Sequence, residues 1–425
     1  MHRDASTADE RVAGGTVESI CQTGSVQRPR WRRVSAASGG PVSVAFVHDT
    51  NEFGGLEIVL LRLMAGLDRE AYAPVLVVPD TDDAHSASPG PLIERTRQLD
   101  VPIAHFPRPP GRVTGRVREL VGLARLFADR EVDVVHIHTA RVEGARKSTI
   151  AARLGRVPVV MRTEHSPPAA FSNPDGSSAL RRSADRLTDL IMTVSEYDRR
   201  EQIDTVGRDA DKVRCLHNGV DIERFAPDVV DGNEVARSIP GDGPIIGGLG
   251  RFSPEKGFEF LLRAIGTLHD EGIAARLVLV GSGPLEAELR SLADDLGIAD
   301  RVTFAGQQLD PRPFIAAMDV AAMPSLHEGF PLTLLEFMAM ERPTVVTDHP
   351  GILEATIAGD TSVVVGRGDV DGLADGIRSL LDDPGRRARM GEAARRHVVD
   401  NFSLQHYVTA TQAIYDELLD EHGRR

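Results

Sequence analysis

The sequence is poor in the features that anchor a protein in a membrane or stabilise a secreted one. Two of its 425 residues are cysteines, Cys21 and Cys215, and they offer neither a disulfide framework nor the spacing of a metal motif. No apolar run approaches the roughly 18 residues of a membrane-spanning helix, and the N-terminus has no contiguous apolar segment typical of a signal peptide. We therefore expect a cytoplasmic protein in a reducing compartment.

Positive charge is also scarce. Lys and Arg number 49 against 63 Asp and Glu, a net charge of −14, so the field around the chain repels a polyanion. This balance argues against a nucleic-acid partner. The length of 425 residues exceeds one ordinary core and favours two domains of roughly 150 to 200 residues each.

Residues 1–41 lack the regularly spaced apolar residues that would offset the entropy lost on ordering them. We predict a flexible N-terminal extension there. Contact of its "RPRWRR" arginines with anionic lipid is the alternative interpretation.

An alternation of strand and helix patterns begins at Val42. "VSVAFVH" and "YAPVLVVP" are typical of buried strands, and "GLEIVLLRLMAGL" between them is typical of an amphipathic helix. The pattern stops over residues 226–244, where Pro, Gly and Asp indicate a linker, and restarts with "IIGGLGR". The predicted fold class is α/β, with two Rossmann-like parallel-sheet domains facing each other across a cleft. The predicted domain ranges are 42–235 and 236–402, followed by a terminal helix over 403–425 that packs back on the first domain.

Two cations follow the strand in "LGRFSPEKG". The carboxyl ends of strands in open α/β sheets point into the ligand crevice, so Arg251 and Lys256 can reach one anion. Solvated side chains are the alternative. In "LVLVGSGPLE", Gly281 and Gly283 follow another strand, where glycines let a ligand approach the backbone. Glu286 replaces the third glycine of a dinucleotide fingerprint, which argues against nicotinamide or flavin and leaves a tight turn without ligand as the alternative.

The stretch "HEGFPLTLLE" places two carboxylates around the start of a predicted helix. Glu328 precedes the helix, which we expect to begin near Pro331, and Glu336 lies in its second turn. Free N–H groups and the helix dipole make that start an anion site. Carboxylates beside it need hydroxyls or cations as partners. Sugar and ribose supply hydroxyls, and Arg251 and Lys256 supply cations.

These motifs together resemble the retaining nucleotide-sugar glycosyltransferases of family GT4, which have the GT-B fold. The two glutamates match the family's E-x7-E motif. Further matches follow in order along residues 42–420: "GG" at 54–55, "HIHTA" at 136–140, "TEH" at 163–165, "VSE" at 194–196 and "NGVD" at 218–221.

The resemblance implies a role for each matching residue. Arg251 and Lys256 hold the donor diphosphate, which is electrostatic stabilisation of a leaving group. Glu328 contacts hydroxyls of the donor sugar, Glu336 holds the ribose, and His165 lies near the reacting sugar. The other residues it places at the donor are Gly54, Gly55, Gly281, Gly283, Gln307, Gly329, Phe330, Pro331, Leu332 and Thr333.

The implied reaction moves a sugar from a nucleotide-sugar donor, with a UDP-sugar favoured, to an acceptor hydroxyl with retention of configuration. The resemblance implies a same-face substitution without a protein nucleophile, and no metal or other cofactor. The second domain then binds the donor and the first the acceptor, which is a small molecule, a lipid-linked glycan or another glycan. Alternatives on the same fold are a non-hydrolysing epimerase, a sugar phosphorylase and a non-catalytic nucleotide-sugar binder.

Weaker signals complete the picture. His136 and His138 share a strand face, but the sequence shows no third metal ligand near them. The loop 166–182 is a candidate acceptor loop. The predicted helix 113–130 carries five arginines in and beside it and is a candidate for peripheral contact with the inner face of a membrane, with core packing as the alternative. Residues near Gln307 and Gln308 are expected to read the base.

Overall fold

The computed structural model describes residues 40–48, 54–80, 90–107, 114–139, 145–165 and 178–423. The predicted extension lies outside these residues except for its last two positions, and so does Cys21. The candidate acceptor loop lies outside them up to residue 177. In the part of the chain that is described, no helix is both long enough and apolar enough to cross a membrane.

The first half of the chain builds a parallel sheet. Its strands are β1 (Val42–His48), β2 (Tyr72–Pro79), β3 (Ile103–Phe106), β4 (Val134–Thr139), β5 (Val159–Glu164), β6 (Leu190–Thr193) and β7 (Val213–Cys215). Its helices are α1 (Gly55–Gly66), α2 (Gly90–Gln98), α3 (Thr114–Asp129), α4 (Arg146–Leu154), α5 (Ser178–Leu187) and α6 (Glu196–Arg200). The strand order across the described sheet is β3-β2-β1-β4-β5-β6-β7.

The second half repeats this plan. Its strands are β8 (Ile245–Leu249), β9 (Arg276–Val280), β10 (Val302–Gly306), β11 (Val320–Met323), β12 (Thr344–Thr347) and β13 (Val363–Val365), in the order β10-β9-β8-β11-β12-β13. Its helices are α7 (Asn233–Ser238), α8 (Phe258–Asp270), α9 (Glu286–Asp295), α10 (Arg312–Ala317), α11 (Leu332–Ala339), α12 (Pro350–Leu353), α13 (Val370–Leu381), α14 (Pro384–Asn401) and α15 (Leu404–Glu421). The predicted pair of parallel sheets is confirmed.

Each sheet has a strand at which the chain order reverses. In the first sheet this is β1, whose Phe46 lies opposite Leu76 of β2 and His136 of β4. In the second sheet it is β8, which pairs with β9 on one side and β11 on the other. The connections that leave such a strand and its neighbour go to opposite faces, so a crevice opens at their carboxyl ends. Residues after β1, β4, β8 and β11 therefore lie where ligands bind.

The last helix returns to the first sheet. Tyr407, Val408 and Tyr415 of α15 share one apolar cluster with residues of β1 and α1. The Tyr415 hydroxyl lies 2.7 Å from Nδ1 of His136. Val220 forms a parallel bridge with Ser403 just before α15 begins. The helix thus completes the core of the half of the chain from which it is most distant in sequence.

The predicted linker over residues 226–244 contains helix α7. A Cβ on Gly232 would lie 2.4 Å from the Ala317 nitrogen, so this segment packs closely against α10. The proposed boundary between residues 235 and 236 falls inside α7, and the domain ranges stay predictions.

Candidate active site

Lys256 and Glu328 meet at the reversal point of the second sheet. Lys256 ends a 3₁₀ turn that follows β8, while Glu328 follows the neighbouring β11. The Lys256 Nζ donates to Glu328 Oε1 at 2.7 Å, and the Ser325 hydroxyl donates to the same oxygen at 2.8 Å. Both acid and base are mostly buried, with 10% of the Glu328 side chain and 27% of the Lys256 side chain exposed. The structure thus joins two of the residues that the sequence nominated separately.

The loops carrying this pair are locked together by backbone contacts. Gly257 has a φ of 64°, in the left-handed region, and a Cβ there would lie 2.3 Å from the Pro324 carbonyl oxygen. The Leu326 amide donates to the Glu255 carbonyl at 2.8 Å. The position of Lys256 relative to Glu328 is therefore fixed by main chain as well as by the ion pair.

Arg251 lies exposed on the loop after β8, and two predicted site glycines support that loop. Gly281 has a φ of 141°, and a Cβ on it would lie 1.9 Å from the Gly250 carbonyl oxygen. A Cβ on Gly283 would lie 2.4 Å from the Phe252 oxygen. These glycines are needed because the chain's own backbone passes so close. That they also admit a ligand stays a prediction.

Helix α11 begins one residue after the predicted position, with Pro331 as its N-cap and Leu332 as its first residue. The preceding loop, residues 324–331, presses on the first sheet. A Cβ on Gly329 would lie 2.7 Å from the His165 carbonyl oxygen and 3.1 Å from Asp198 Oδ2. This close approach brings His165, which follows β5, next to the loop that holds Glu328.

Glu336 lies in the second turn of α11 and is paired with a residue that sequence analysis did not nominate. Arg62 of α1 donates to Glu336 Oε1 at 2.7 Å, and the two side chains are only 14% and 6% exposed. The guanidinium also lies 5.4 Å from the ring centroid of Phe225. Its Nη1 is buried without a hydrogen-bond partner among the described residues. The resemblance assigns ribose hydroxyls to Glu336, so a nucleotide would meet a carboxylate that already holds one cation.

Comparison with known proteins identifies the chain. Residues 53–224 match the profile described as "Glycosyltransferase Family 4", and residues 232–397 match "Glycosyl transferases group 1". A GDP-mannose-dependent alpha-(1-6)-phosphatidylinositol monomannoside mannosyltransferase of Mycolicibacterium smegmatis is 30% identical over 371 residues, which cover 83% of this chain and 93% of that protein. The chain belongs to family 4 of the glycosyltransferases.

Other relatives agree. A GDP-mannose-dependent mannosyltransferase of Corynebacterium glutamicum, acting on a monoacylated phosphatidylinositol monomannoside, is 29% identical over 84% of this chain and 93% of its own length. A D-inositol 3-phosphate glycosyltransferase of Streptomyces avermitilis is 35% identical over 59% of this chain and 55% of its own. The predicted family and enzyme class are confirmed: the chain is a glycosyltransferase that uses a nucleotide-sugar donor.

Solved structures confirm the predicted GT-B fold of this family 4 glycosyltransferase. Anabaena HepE in complex with UDP superimposes with a TM-score of 0.74 at 20% identity, over 88% of this chain and 100% of that one. Sucrose-phosphate synthase from Thermosynechococcus elongatus gives 0.72 at 20% identity, over 89% and 100%. At such identities the likeness extends to the fold alone.

In this family 4 glycosyltransferase, the glycine pair after β1 is held by Glu57. That carboxylate lies 2.6 Å from His48 Nε2 and accepts the Gly54 amide at 2.6 Å. Burial acts to raise the pKa of Glu57, but the bond to His48 prevails and lowers it. The nearest described atoms to a Cβ on Gly54 or Gly55 are 3.7 and 3.9 Å away, an ordinary spacing. Whether these glycines make room for the donor stays a prediction.

His165 belongs to a row of imidazoles at the carboxyl ends of β4 and β5. Its Nε2 lies 3.0 Å from Nδ1 of His138. Burial lowers the pKa of His165 to about 4, against the opposing effect of Glu57, so the ring is neutral at pH 7. Both nitrogens of His136 have partners, the hydroxyls of Tyr415 and Thr163, each at 2.7 Å. That leaves His136 without a free nitrogen for a metal.

Other predicted site residues line the start of α11 or lie apart from it. Phe330 is buried, its carbonyl accepts from the Asn218 side chain at 3.1 Å, and Thr333 is half-buried. Gln307 is exposed on the turn after β10, and Gln308 donates to the Ala305 carbonyl at 2.6 Å. The proposed roles of the individual residues at the donor stay predictions.

Asp198 of α6 is a buried carboxyl group that sequence analysis missed. It is 1% exposed, and neither oxygen has a hydrogen-bond partner among the described residues. Burial and then the charge of Glu354 raise its pKa to about 8, so it is largely protonated at pH 7. Only its position two residues after "VSE", beside the 324–331 loop in space, would have pointed to it.

Proposed function

We propose that this glycosyltransferase transfers a hexose with retention of anomeric configuration and without a metal ion. The observation that carries the proposal is the joined set of Lys256 and Glu328 beside the start of α11, with Arg251 exposed at the same reversal point. Two cations and the free N–H groups of a helix can together neutralise a departing nucleoside diphosphate, which is the work of a metal in other transferases.

The protein's own groups divide the work in this proposal. Lys256 contacts the diphosphate as the bond to the sugar breaks, and its ion pair holds the Glu328 carboxylate toward the sugar hydroxyls. Arg251 adds the second positive charge. The neutral His165 offers a hydrogen bond near the sugar without competing for the phosphate charge. The departing phosphate takes the proton of the acceptor hydroxyl, so no protein nucleophile is required.

For the donor, the relatives' names favour GDP-mannose over the UDP-sugar expected from the sequence. Two relatives, each matched over 93% of its length, are named for GDP-mannose. For the acceptor, we propose a hydroxyl of a phosphorylated polyol or its lipid conjugate, because three relatives are named for phosphatidylinositol mannosides or inositol 3-phosphate.

The test incubates the purified full chain with GDP-mannose, UDP-glucose and UDP-N-acetylglucosamine, each with inositol phosphate or a phosphatidylinositol mannoside as acceptor. We expect release of nucleoside diphosphate with one donor, and NMR of the product should show the donor's anomeric configuration. Activity should survive EDTA. A product of opposite configuration refutes retention, loss of activity in EDTA refutes metal independence, and consumption of a UDP-sugar alone refutes GDP-mannose.

Two controls separate the alternatives. Lys256→Ala should lower the rate of release about 10² to 10³-fold, which shows that the activity belongs to this site. Hydrogen exchange at the sugar's second carbon in heavy water, without acceptor, would instead indicate an epimerase, and dependence on orthophosphate a phosphorylase.

A further inference from the structure

A thiol, an imidazole and a carboxylate converge beside the 324–331 loop. They belong to Cys215 at the end of β7, His217 two residues later, and Glu354 directly after α12. One ligand atom from each lies within 4.8 Å of the other two. His217 Nε2 is already 2.9 Å from Glu354 Oε2. The cluster therefore spans from the first sheet to the second half of the chain.

These atoms match the preferences of Zn²⁺, which binds sulfur at about 2.3 Å and nitrogen or oxygen at about 2.0 to 2.2 Å in a tetrahedron. The site is open to entry, because 31% of the His217 side chain and 20% of the Glu354 side chain are exposed. The fourth position would go to water.

Glu354 is held in place for such a role. Its two oxygens accept the backbone amides of Glu196 and Tyr197, each at 2.7 Å. A carboxylate oxygen can accept two interactions. Oε2 can therefore keep its hydrogen bond from the Glu196 amide and bind a metal in place of its hydrogen bond from His217. The carboxylate would not have to reorient.

A divalent cation at this cluster would favour the thiolate form of Cys215, because a thiol that coordinates a metal loses its proton.

We propose that Cys215, His217 and Glu354 form a Zn²⁺ site that tethers the two halves of the enzyme. On binding, the Cys215 S–H bond breaks, a sulfur–zinc bond forms and one proton leaves to solvent. His217 gives up its hydrogen bond to Glu354: the Nε2 proton that this bond requires leaves to solvent, Nδ1 takes up a proton from solvent, and the Nε2 lone pair binds the metal. The metal stays Zn²⁺ throughout, so the step involves no oxidation or reduction.

The tether acts on the 324–331 loop. The His217 ring centroid lies 4.5 Å from that of Phe330 in this loop. Asn218, which follows His217 in the chain, donates a hydrogen bond from its side chain to the Phe330 carbonyl. Zinc at this point fixes the loop against the first half of the chain. This regulatory effect rests on the proposed function: with the loop fixed by zinc, the product nucleotide is released more slowly and turnover falls.

The experiment titrates the metal-stripped full chain with Co²⁺, a spectroscopic substitute for zinc, and then with Zn²⁺. We expect one equivalent of Co²⁺ to give a near-ultraviolet sulfur-to-cobalt charge-transfer band that Zn²⁺ displaces. Cys215→Ser should remove the band, and His217→Asn should weaken Zn²⁺ binding by about tenfold or more. Cys21→Ser removes the other thiol and should change neither, and His406→Asn is the matched control on an exposed histidine.

A further readout, the Tm, tests the site without reference to the donor. Zn²⁺ should raise the Tm of the wild type and of Cys21→Ser but not that of Cys215→Ser. Absence of the band in the wild type, its survival in Cys215→Ser, or its loss in Cys21→Ser each overturns the site. If the metal binds as expected and turnover is unchanged, the site stands and its regulatory role is refuted. Failure of the proposed function would leave the metal titration untouched.

Discussion

Arg62 donates a 2.7 Å hydrogen bond to Glu336, and this bond joins helix α1 of the first half to helix α11 of the second. The partners are 274 residues apart in sequence. The pair orients the carboxylate that the family resemblance assigns to the ribose, and the position of that carboxylate therefore depends on both halves of the chain.

Breaking this pair should destabilise the fold. Arg62→Met leaves the Glu336 carboxylate buried without its cation, and we expect a loss of about 3 kcal/mol in the free energy of unfolding. Arg290→Met is the control, because its pair with Glu286 has side chains 52% and 33% exposed and should contribute less than about 1 kcal/mol. Urea unfolding of both variants gives the values. Equal effects would contradict the importance of the buried pair.

Glu336→Ala should weaken nucleotide binding. Hydrogen bonds to a charged group contribute about 1.5 to 3 kcal/mol, so the Kd for the nucleoside diphosphate should rise about tenfold or more. Calorimetry measures it, with Glu288→Ala on the exposed face of α9 as the control. An unchanged Kd in Glu336→Ala would show that the ribose lies elsewhere.

Lys256→Ala should act mainly on turnover. Its charge is needed most when the diphosphate departs, so kcat should fall about 10² to 10³-fold while donor KM changes little. Lys256→Arg keeps the charge and should recover part of the rate. Steady-state kinetics with the donor that the incubation test selects provides the comparison, and a rise confined to KM would assign Lys256 to ground-state binding.

Gly329→Ala and Gly55→Ala test the packing of the predicted site glycines. A Cβ at 329 would meet the His165 oxygen at 2.7 Å, whereas at 55 the nearest described atom is 3.9 Å away. Gly329→Ala should therefore cost about 1 to 3 kcal/mol of stability and Gly55→Ala almost none. Thermal unfolding separates them. A higher donor KM in a fully stable Gly55→Ala would support the close approach of the donor there.

Asp198→Asn should change how stability depends on pH. The pKa of Asp198 is raised from 3.8 to about 8, so between these values the folded chain keeps a proton that the unfolded chain releases. The unfolded state then binds fewer protons, and stability falls as pH rises through this window by up to about 1.4 kcal/mol per pH unit. The asparagine side chain does not titrate, so it makes no such contribution to the pH dependence of stability. The Tm of the variant relative to wild type should therefore increase from pH 5 to pH 8, and a constant difference would show that Asp198 is already ionised.

The sequence predicted the parts of the site that depend on local order. Lys256 follows one strand and Glu328 follows another, and the rule that ligands gather at the carboxyl ends of such strands predicts that they lie close together, as their 2.7 Å contact shows. The start of α11 was predicted within one residue, because proline and the apolar spacing are local signals.

Pairs between the two halves could not be predicted in this way. Arg62 meets Glu336, and Glu354 meets the amides of α6, because of how whole helices face each other. No spacing in the sequence records that. Asp198 gave no local signal either, since its lack of partners is visible only once the 324–331 loop is packed against it.

The placement of α15 has a consequence for biosynthesis. Strand β1 and helix α1 leave the ribosome long before Tyr407 and Tyr415, which share their apolar cluster. Until α15 has been synthesised, the apolar surface that these tyrosines cover is exposed. A product truncated before α15 would keep that surface uncovered, so α15 determines when the core of the first half is complete.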